Sequence, residues 1–377
     1  MENIIQSPSE IWNIIPDSLR RIIHNQPGEN ITGANYLTLT PELEVRVRTP
    51  SGEAVVEGMD LNQIAQDFES KVQSKLAPDL IEIEDVLLRN SAQPVVTDDF
   101  SFESLQNSPF TRQVRVQDLV EANVFTDANQ LQSLLDRMSG ASLGAQDKLF
   151  VDADHGDDLI EITSEDAAQF GGLRAWGGND QILGTDSNDI VNGNAGNDKI
   201  VGASGHDLLW GGEGNDLIAG GEGDDLVKGD DGEDYLVGGA GNDVIRGGAD
   251  RDVLMGKAGD DMLICEGDGD LLMGSTGADH FILCGDTFTN RADLADRILD
   301  FNRDEGDMLK MVSFPGMDAI SFAAVDVNKD RIIDTAMLSS RGVVGVIMST
   351  DPSTMQLSSI FMVNPQDTAL SSIGESF

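Results

Sequence analysis

From Ala175 to Ile282 the chain is written in nines: AWGGNDQIL, GTDSNDIVN, GNAGNDKIV and so on through GSTGADHFI, twelve units without an insertion. Position 6 is Asp in all twelve, position 8 is Ile, Val, Leu or Phe in all twelve, and glycine holds position 1 in ten and position 4 in nine. A fixed period of this kind predicts stacked units, each too small to bury its apolar face alone. The first six positions have turn chemistry. Glycine there is free to take positive φ, and Asn or Asp at position 5 tolerates the left-handed region. The last three predict a short strand, whose period of two turns position 8 to one face and positions 7 and 9 to the other. Two units then make one coil, and six coils at about 4.8 Å each make a rod of roughly 29 Å.

One apolar side chain per nine residues is a thin core for a glycine-rich backbone, and the repeats carry 23 acids against 5 bases. A cation supplies the missing attraction. In a two-unit coil each position-6 Asp lies over the Asp 18 residues on. Asp180, Asp198, Asp216, Asp234, Asp252 and Asp270 form one column; Asp189, Asp207, Asp225, Asp243, Asp261 and Asp279 form the other. Carboxylates and turn carbonyls are hard oxygen donors that suit Ca2+ better than a thiolate- or imidazole-seeking metal. Five gaps in each column allow up to about ten ions between coils.

These units resemble the RTX, or hemolysin-type calcium-binding, nonapeptide family GGxGxDxUx. The resemblance implies a parallel β-roll that folds on binding calcium. It also implies export by a type I secretion machinery reading an uncleaved C-terminal signal, and so a secreted, extracellular or cell-surface location. ADRILDFNRDEGDMLKM, 295–311, resembles the segment that closes such rolls in serralysin-like secreted proteins. Departures sit toward the ends: Ala175 and Trp176 in the first unit, Asp250 and Asp268 at position 4, Lys257 and Glu266 at position 2. They single out the sites near Asp180 and toward Asp270. A stray unit, ADHGDDLIE at 153–161, is out of register and reads equally as a cap or a decayed repeat.

The expected organisation is mainly β. An α+β N-terminal region spans 1–150 and a capping segment 151–174; the roll spans 175–282 and a C-terminal β region with a secretion tail 283–377. In the last of these, Asp326, Asn328, Asp330 and Asp334 have the 1-3-5-9 spacing of a cation loop. The loop lacks the central glycine and closing glutamate of a helix–loop–helix site, so a β-hairpin turn, with or without an ion, is the expectation. IIPDSLRRII, NQIAQDFESKVQSKL and DANQLQSLLDRM have helical spacing, NYLTLTPELEVRVRTPSG reads as strands, and NSAQPVVTDD reads as a linker.

The formal charge of −43 argues against nucleic acid, whose phosphates call for Lys and Arg, and against an anionic membrane surface. No stretch is long and apolar enough for a membrane span, and no cleavable N-terminal signal is visible. Residues 1–150 contain no zinc-protease, nucleophile-elbow or P-loop motif. Glu82/Glu84 and Asp98/Asp99 read as solvated pairs, and His24, His155, His206 and His280 as structural. No catalytic residue is expected. A secreted enzyme or toxin carrying its activity in the first 150 residues is the alternative. Cys265 and Cys284, 19 apart, fall on neighbouring coils, so their pairing is open. Finally, positions 7 and 9 are apolar at ten of twelve places in the odd units against eight of twelve in the even ones. A face of that character is expected to be covered, by another region of the chain or by self-association.

Overall fold

The computed structural model describes residues 37–39, 45–49, 52–56, 61–90, 101, 103, 106, 112–115, 120–121, 151–153, 155–162, 172–267, 269–284, 288–312, 319–353, 355 and 360–363. The segments IIPDSLRRII and DANQLQSLLDRM, His24, Asp98/Asp99 and the C-terminal tail lie outside them.

The repeats form a parallel β-solenoid of about six turns. Odd units build one sheet and even units the other, each strand pairing in parallel with the strand 18 residues on: Leu217 lies beside Tyr235, and Leu226 beside Val244. Every position-8 side chain, from Ile182 to Phe281, points between the sheets and is at most 1% exposed. They form a single column with Leu283, Ile298, Leu309 and Met311.

The strands are longer than the expected three residues. Leu217–Glu222, for example, runs through positions 7–9 and on through positions 1–3 of the next unit. The turn shrinks to positions 4–6, because the inter-coil hydrogen bonds continue past the glycine at position 1. Positive φ is concentrated at positions 2 and 4, as at Gly221 and Gly223. Position 5 links the coils instead, its side chain accepting the amide of position 5 one coil on. Asn197 N–H donates to Asn179 Oδ1 (2.9 Å) and Asn215 N–H to Asn197 Oδ1 (2.8 Å). His206 performs the same role, its Nδ1 accepting from Asp224 N–H at 2.7 Å.

Both sheets extend beyond the repeats. One continues through Asp296–Ile298 to Val343–Ile347, then antiparallel through Asp334–Leu338 and Ala319–Val325 to Arg112–Arg115. The other continues through Met308–Val312 and Ile360–Val363 to Val120–Glu121. Residues of the first 150 thus take part in both sheets at the C-terminal end of the roll. The strands expected over 35–52 form a three-stranded antiparallel sheet, Leu37–Leu39, Val45–Thr49 and Gly52–Val56.

The apolar odd face is covered, and by this chain. Helix α1, Leu61–Asn90, extends the expected helix through Pro78 and ends on the first residue of the stretch read as a linker, whose remainder, 91–99, lies outside the described residues. Val72, Leu76, Ile83 and Val86 share one helix face and cluster with Leu159, Leu183, Val201, Leu217, Val237, Val253, Met255 and Leu271. A 30-residue helix is about 45 Å long, enough to run the length of the roll. Ion pairs fix both ends of the contact: Lys71 to Glu161 at 2.7 Å, and Lys257 to Asp79 at 3.0 Å and to Glu82. Glu82 is therefore engaged rather than merely solvated. The Lys257 departure at position 2 is explained as well: it is the roll's handle on the helix.

Candidate metal centre

Stacking at 18 residues brings each predicted Asp onto the next, as expected. The backbone amides of the first ten position-6 Asp donate to Oδ1 of the Asp one coil on, from Asp180 to Asp198 and from Asp189 to Asp207 through to Asp252–Asp270 and Asp261–Asp279. The ten bonds measure 2.7–2.9 Å. The departures near Asp180 and Asp270 leave this ladder intact.

One oxygen of each carboxylate is thereby engaged. The other, Oδ2, is buried without a hydrogen-bond partner at Asp198, Asp207, Asp216, Asp225, Asp234, Asp243, Asp252 and Asp261. Eight such oxygens in two rows are not how a fold disposes of polar atoms, since each buried unsatisfied acceptor costs about 1–3 kcal/mol and a charged one more. The geometry around them explains the glycine at position 1. A Cβ on Gly211 would stand 2.0 Å from Asp216 Oδ2 and 2.9 Å from the Gly229 carbonyl oxygen; on Gly220, 2.3 Å from Asp225 Oδ2 and 2.7 Å from Gly238 O. A carboxylate oxygen and the carbonyl of the next coil converge on the space that a side chain would fill. Position 4 has a separate reason: a Cβ on Gly223 (φ +126°) would lie 1.5 Å from the Gly205 carbonyl oxygen.

The electrostatics point the same way. Burial first, then repulsion along the column, pushes the carboxyls of Asp207 and Asp243 up to about 9. Burial likewise pushes Asp216 and Asp234 to about 8, Asp225, Asp252 and Asp261 to about 7, and Asp198 and Asp279 to about 6. A positive charge in the gap would offset this cost and favour the ionised columns at neutral pH. An all-oxygen donor set of carboxylates and carbonyls fits Ca2+.

Three further aspartates join the columns. Asp158 N–H donates to Asp180 Oδ1 at 2.8 Å, so the stray unit at 153–161 is a first coil, offset by 22 residues. Asp296 and Asp307 prolong the two columns at the other end, accepting from Asp270 N–H (3.1 Å) and Asp279 N–H (3.0 Å). Each restates the Asp-x-apolar signature, in Asp296-Arg-Ile298 and Asp307-Met-Leu309. Gaps of 26 and 28 residues hide them from a count in nines.

The 326–334 loop is a hairpin turn, as expected, between Ala319–Val325 and Asp334–Leu338. Asn328 and Asp330 bond each other (3.0 Å), and Asp326 Oδ2 accepts Arg331 N–H (3.0 Å). Asp334 is set apart: it is buried, with its oxygens accepting Ser349 N–H (2.8 Å) and Val327 N–H (3.0 Å). Cys265 and Cys284 are not joined by a disulfide. His280 lies against Lys310, with 3.0 Å between Nδ1 and Nζ. Among the described residues, no helix is long and apolar enough to cross a membrane.

Comparison with known proteins agrees with the geometry. The family model of the RTX calcium-binding nonapeptide repeat matches in four overlapping copies, at residues 177–209, 193–227, 201–236 and 228–263. No curated protein sequence matches the chain. Among solved structures, the extracellular lipase LipA from Serratia marcescens is similar at 17% identity and a TM-score of 0.19, over 54% of this chain and 44% of that one. The chain thus spans less than half of that relative's length. Taken with the two aspartate columns, the family match identifies residues 177–263 as RTX calcium-binding repeats.

Proposed function

We propose that this is a secreted calcium-binding protein whose repeats fold on meeting Ca2+ outside the cell, serving as a folding switch and a scaffold for a binding or surface role. The observation that carries this reading is the double row of buried carboxylate oxygens without hydrogen-bond partners. In low calcium the columns repel and the roll is unstable; in high calcium each ion cancels that repulsion and ties two coils together. The ions number up to about ten, one per gap between the twelve stacked repeat aspartates. The same logic suits export through a type I machinery, which passes an unfolded chain. The 326–334 turn is proposed as an additional, weaker cation loop through Asp326, Asn328 and Asp330, with Asp334 buttressing it from beneath.

The test is far-UV circular dichroism of the chelator-treated full-length chain, titrated with Ca2+ and separately with Mg2+. A cooperative gain of β signal with Ca2+ alone, near the 10⁻⁴–10⁻³ M of extracellular calcium modules, is expected. A chain already fully folded in chelator and indifferent to calcium would remove the switch.

A further inference from the structure

Position 1 carries a thiol in one repeat, at Cys265. Elsewhere along the roll that position is almost always glycine, because a Cβ there would meet the Asp Oδ2 of the same unit. Cys265 is fully buried, and its side chain enters the end of the odd column where the spacing widens from 18 to 26 residues. Its Sγ lies 3.4 Å from Asp296 Oδ2 and 3.3 Å from the Ile282 carbonyl oxygen. One donor atom from each of Cys265, Asp270 and Asp296 lies within 4.8 Å of the other two, and all three residues are buried.

We propose that Cys265, Asp270 and Asp296 form a site for a thiophilic divalent cation of the Zn2+ type, distinct in chemistry from the all-oxygen gaps beneath it. Calcium coordinates oxygen and gains nothing from sulfur, whereas zinc takes both thiolate sulfur and carboxylate oxygen as ligands. The spacing agrees. With Zn–S near 2.3 Å and Zn–O near 2.0 Å, two ligands on a tetrahedral ion stand about 3.5 Å apart, against 3.4 Å for Sγ and Asp296 Oδ2. The Asp296 carboxylate is also pre-set: Oδ1 accepts the amides of Gly269 (2.9 Å) and Asp270 (3.1 Å), turning Oδ2 to the sulfur. Outer hydrogen bonds of this kind orient metal ligands. Cys265 and Asp270 belong to one repeat and meet Asp296 only when that coil packs on 296–298, so the ion would lock the roll to its closing region. The Ile282 carbonyl or a water completes the tetrahedron.

The proposal rests on the column reading, and its test keeps the two apart. Full-length protein is refolded in Ca2+ and titrated with Co2+ as a spectroscopic substitute for zinc, with circular dichroism recorded in parallel. The expected result is one equivalent of Co2+ giving a thiolate-to-metal charge-transfer band and tetrahedral d–d absorption, both bleached by Zn2+. The chain has two cysteines, so the source of the band is decided by two variants: Cys265→Gly, which restores the repeat's own residue, abolishes it, and Cys284→Ser retains it. No band in the unmodified chain, or a band that survives Cys265→Gly, overturns the proposal. A calcium response in circular dichroism without the cobalt band sinks this site alone. A cobalt band without a calcium response sinks the calcium reading alone.

Discussion

The middle of the roll and its closing region handle buried aspartate in opposite ways. Asp216, Asp225, Asp234 and Asp243 each give one oxygen to the ladder and bury the other without a partner. Asp300, Asp307 and Asp334 are also buried or nearly so, yet their carboxylates are met by pairs of backbone amides: Gly274 and Ser275, Asp279 and Asn302, Val327 and Ser349. The closing region also has a small apolar core, Ala323, Val325, Ala336, Leu338, Val343 and Val346 among others. The same side chain is thus an ion site when the fold leaves it an oxygen, and a structural clasp when the fold takes both. On the proposed reading the repeats call for a cation, whereas Asp300, Asp307 and Asp334 are satisfied by backbone amides.

The sharpest way to break that comparison is pH. In the middle coils the folded carboxyls lie at about 7 to 9, against an ordinary 3.8. Acids raised in the folded state stabilise it below their ordinary value and lose that contribution as pH rises through the folded values. In chelator, therefore, the roll gains stability as pH falls from about 9 to 5. In calcium the trend reverses, because protons compete with the ion for the same oxygens. Circular dichroism melts at several pH values, with and without calcium, should cross; parallel curves would contradict the account.

Next in size is glycine. Gly223→Ala puts a Cβ 1.5 Å from the Gly205 carbonyl in the repeats, and is expected to cost roughly 3 kcal/mol or more from overpacking and strained φ. Gly306→Ala shares the strained φ (+112°), but its Cβ approaches nothing nearer than Ala278 Cβ at 3.0 Å, and it is expected to cost about 1–2 kcal/mol. Chemical denaturation in calcium measures both.

A carboxylate pair separates the two uses of aspartate. Asp334→Asn replaces one of two oxygens that each accept a backbone amide and should destabilise by about 1–3 kcal/mol with or without calcium. Asp225→Asn should weaken calcium-induced folding, raising its midpoint several-fold, yet stabilise the chain in chelator by removing a buried charge. Equal behaviour of the two variants would erase the distinction.

The smallest effect is expected at the helix. Lys257→Ala deletes the ion pairs to Asp79 and Glu82, which are partly exposed, and should cost about 0.5 kcal/mol in a calcium-loaded melt.

The sequence made the columns legible because Asp, Gly and the apolar position 8 all repeat at nine, and a fixed period needs no long-range information. The ends were hidden for the same reason. Asp158, Asp296 and Asp307 sit in the columns, but insertions move them off the count. Face parity showed that the odd side is covered; that α1 covers it was not legible, since nothing local says where a helix docks. Position 5 looked like turn chemistry and is a hydrogen-bond ladder between coils, a role seen only once the units are stacked. Lys257 looked like a flaw in the repeat until its partners on the helix were known.

The most direct test is hydrogen exchange followed along the full chain, in chelator and in calcium. Peptides from 211–255 should exchange freely in chelator and become protected when calcium is added. Peptides from 319–348 should be slow to exchange in both. Protection of the repeats in chelator equal to that in calcium would show that the aspartate columns need no cation, and would contradict the account.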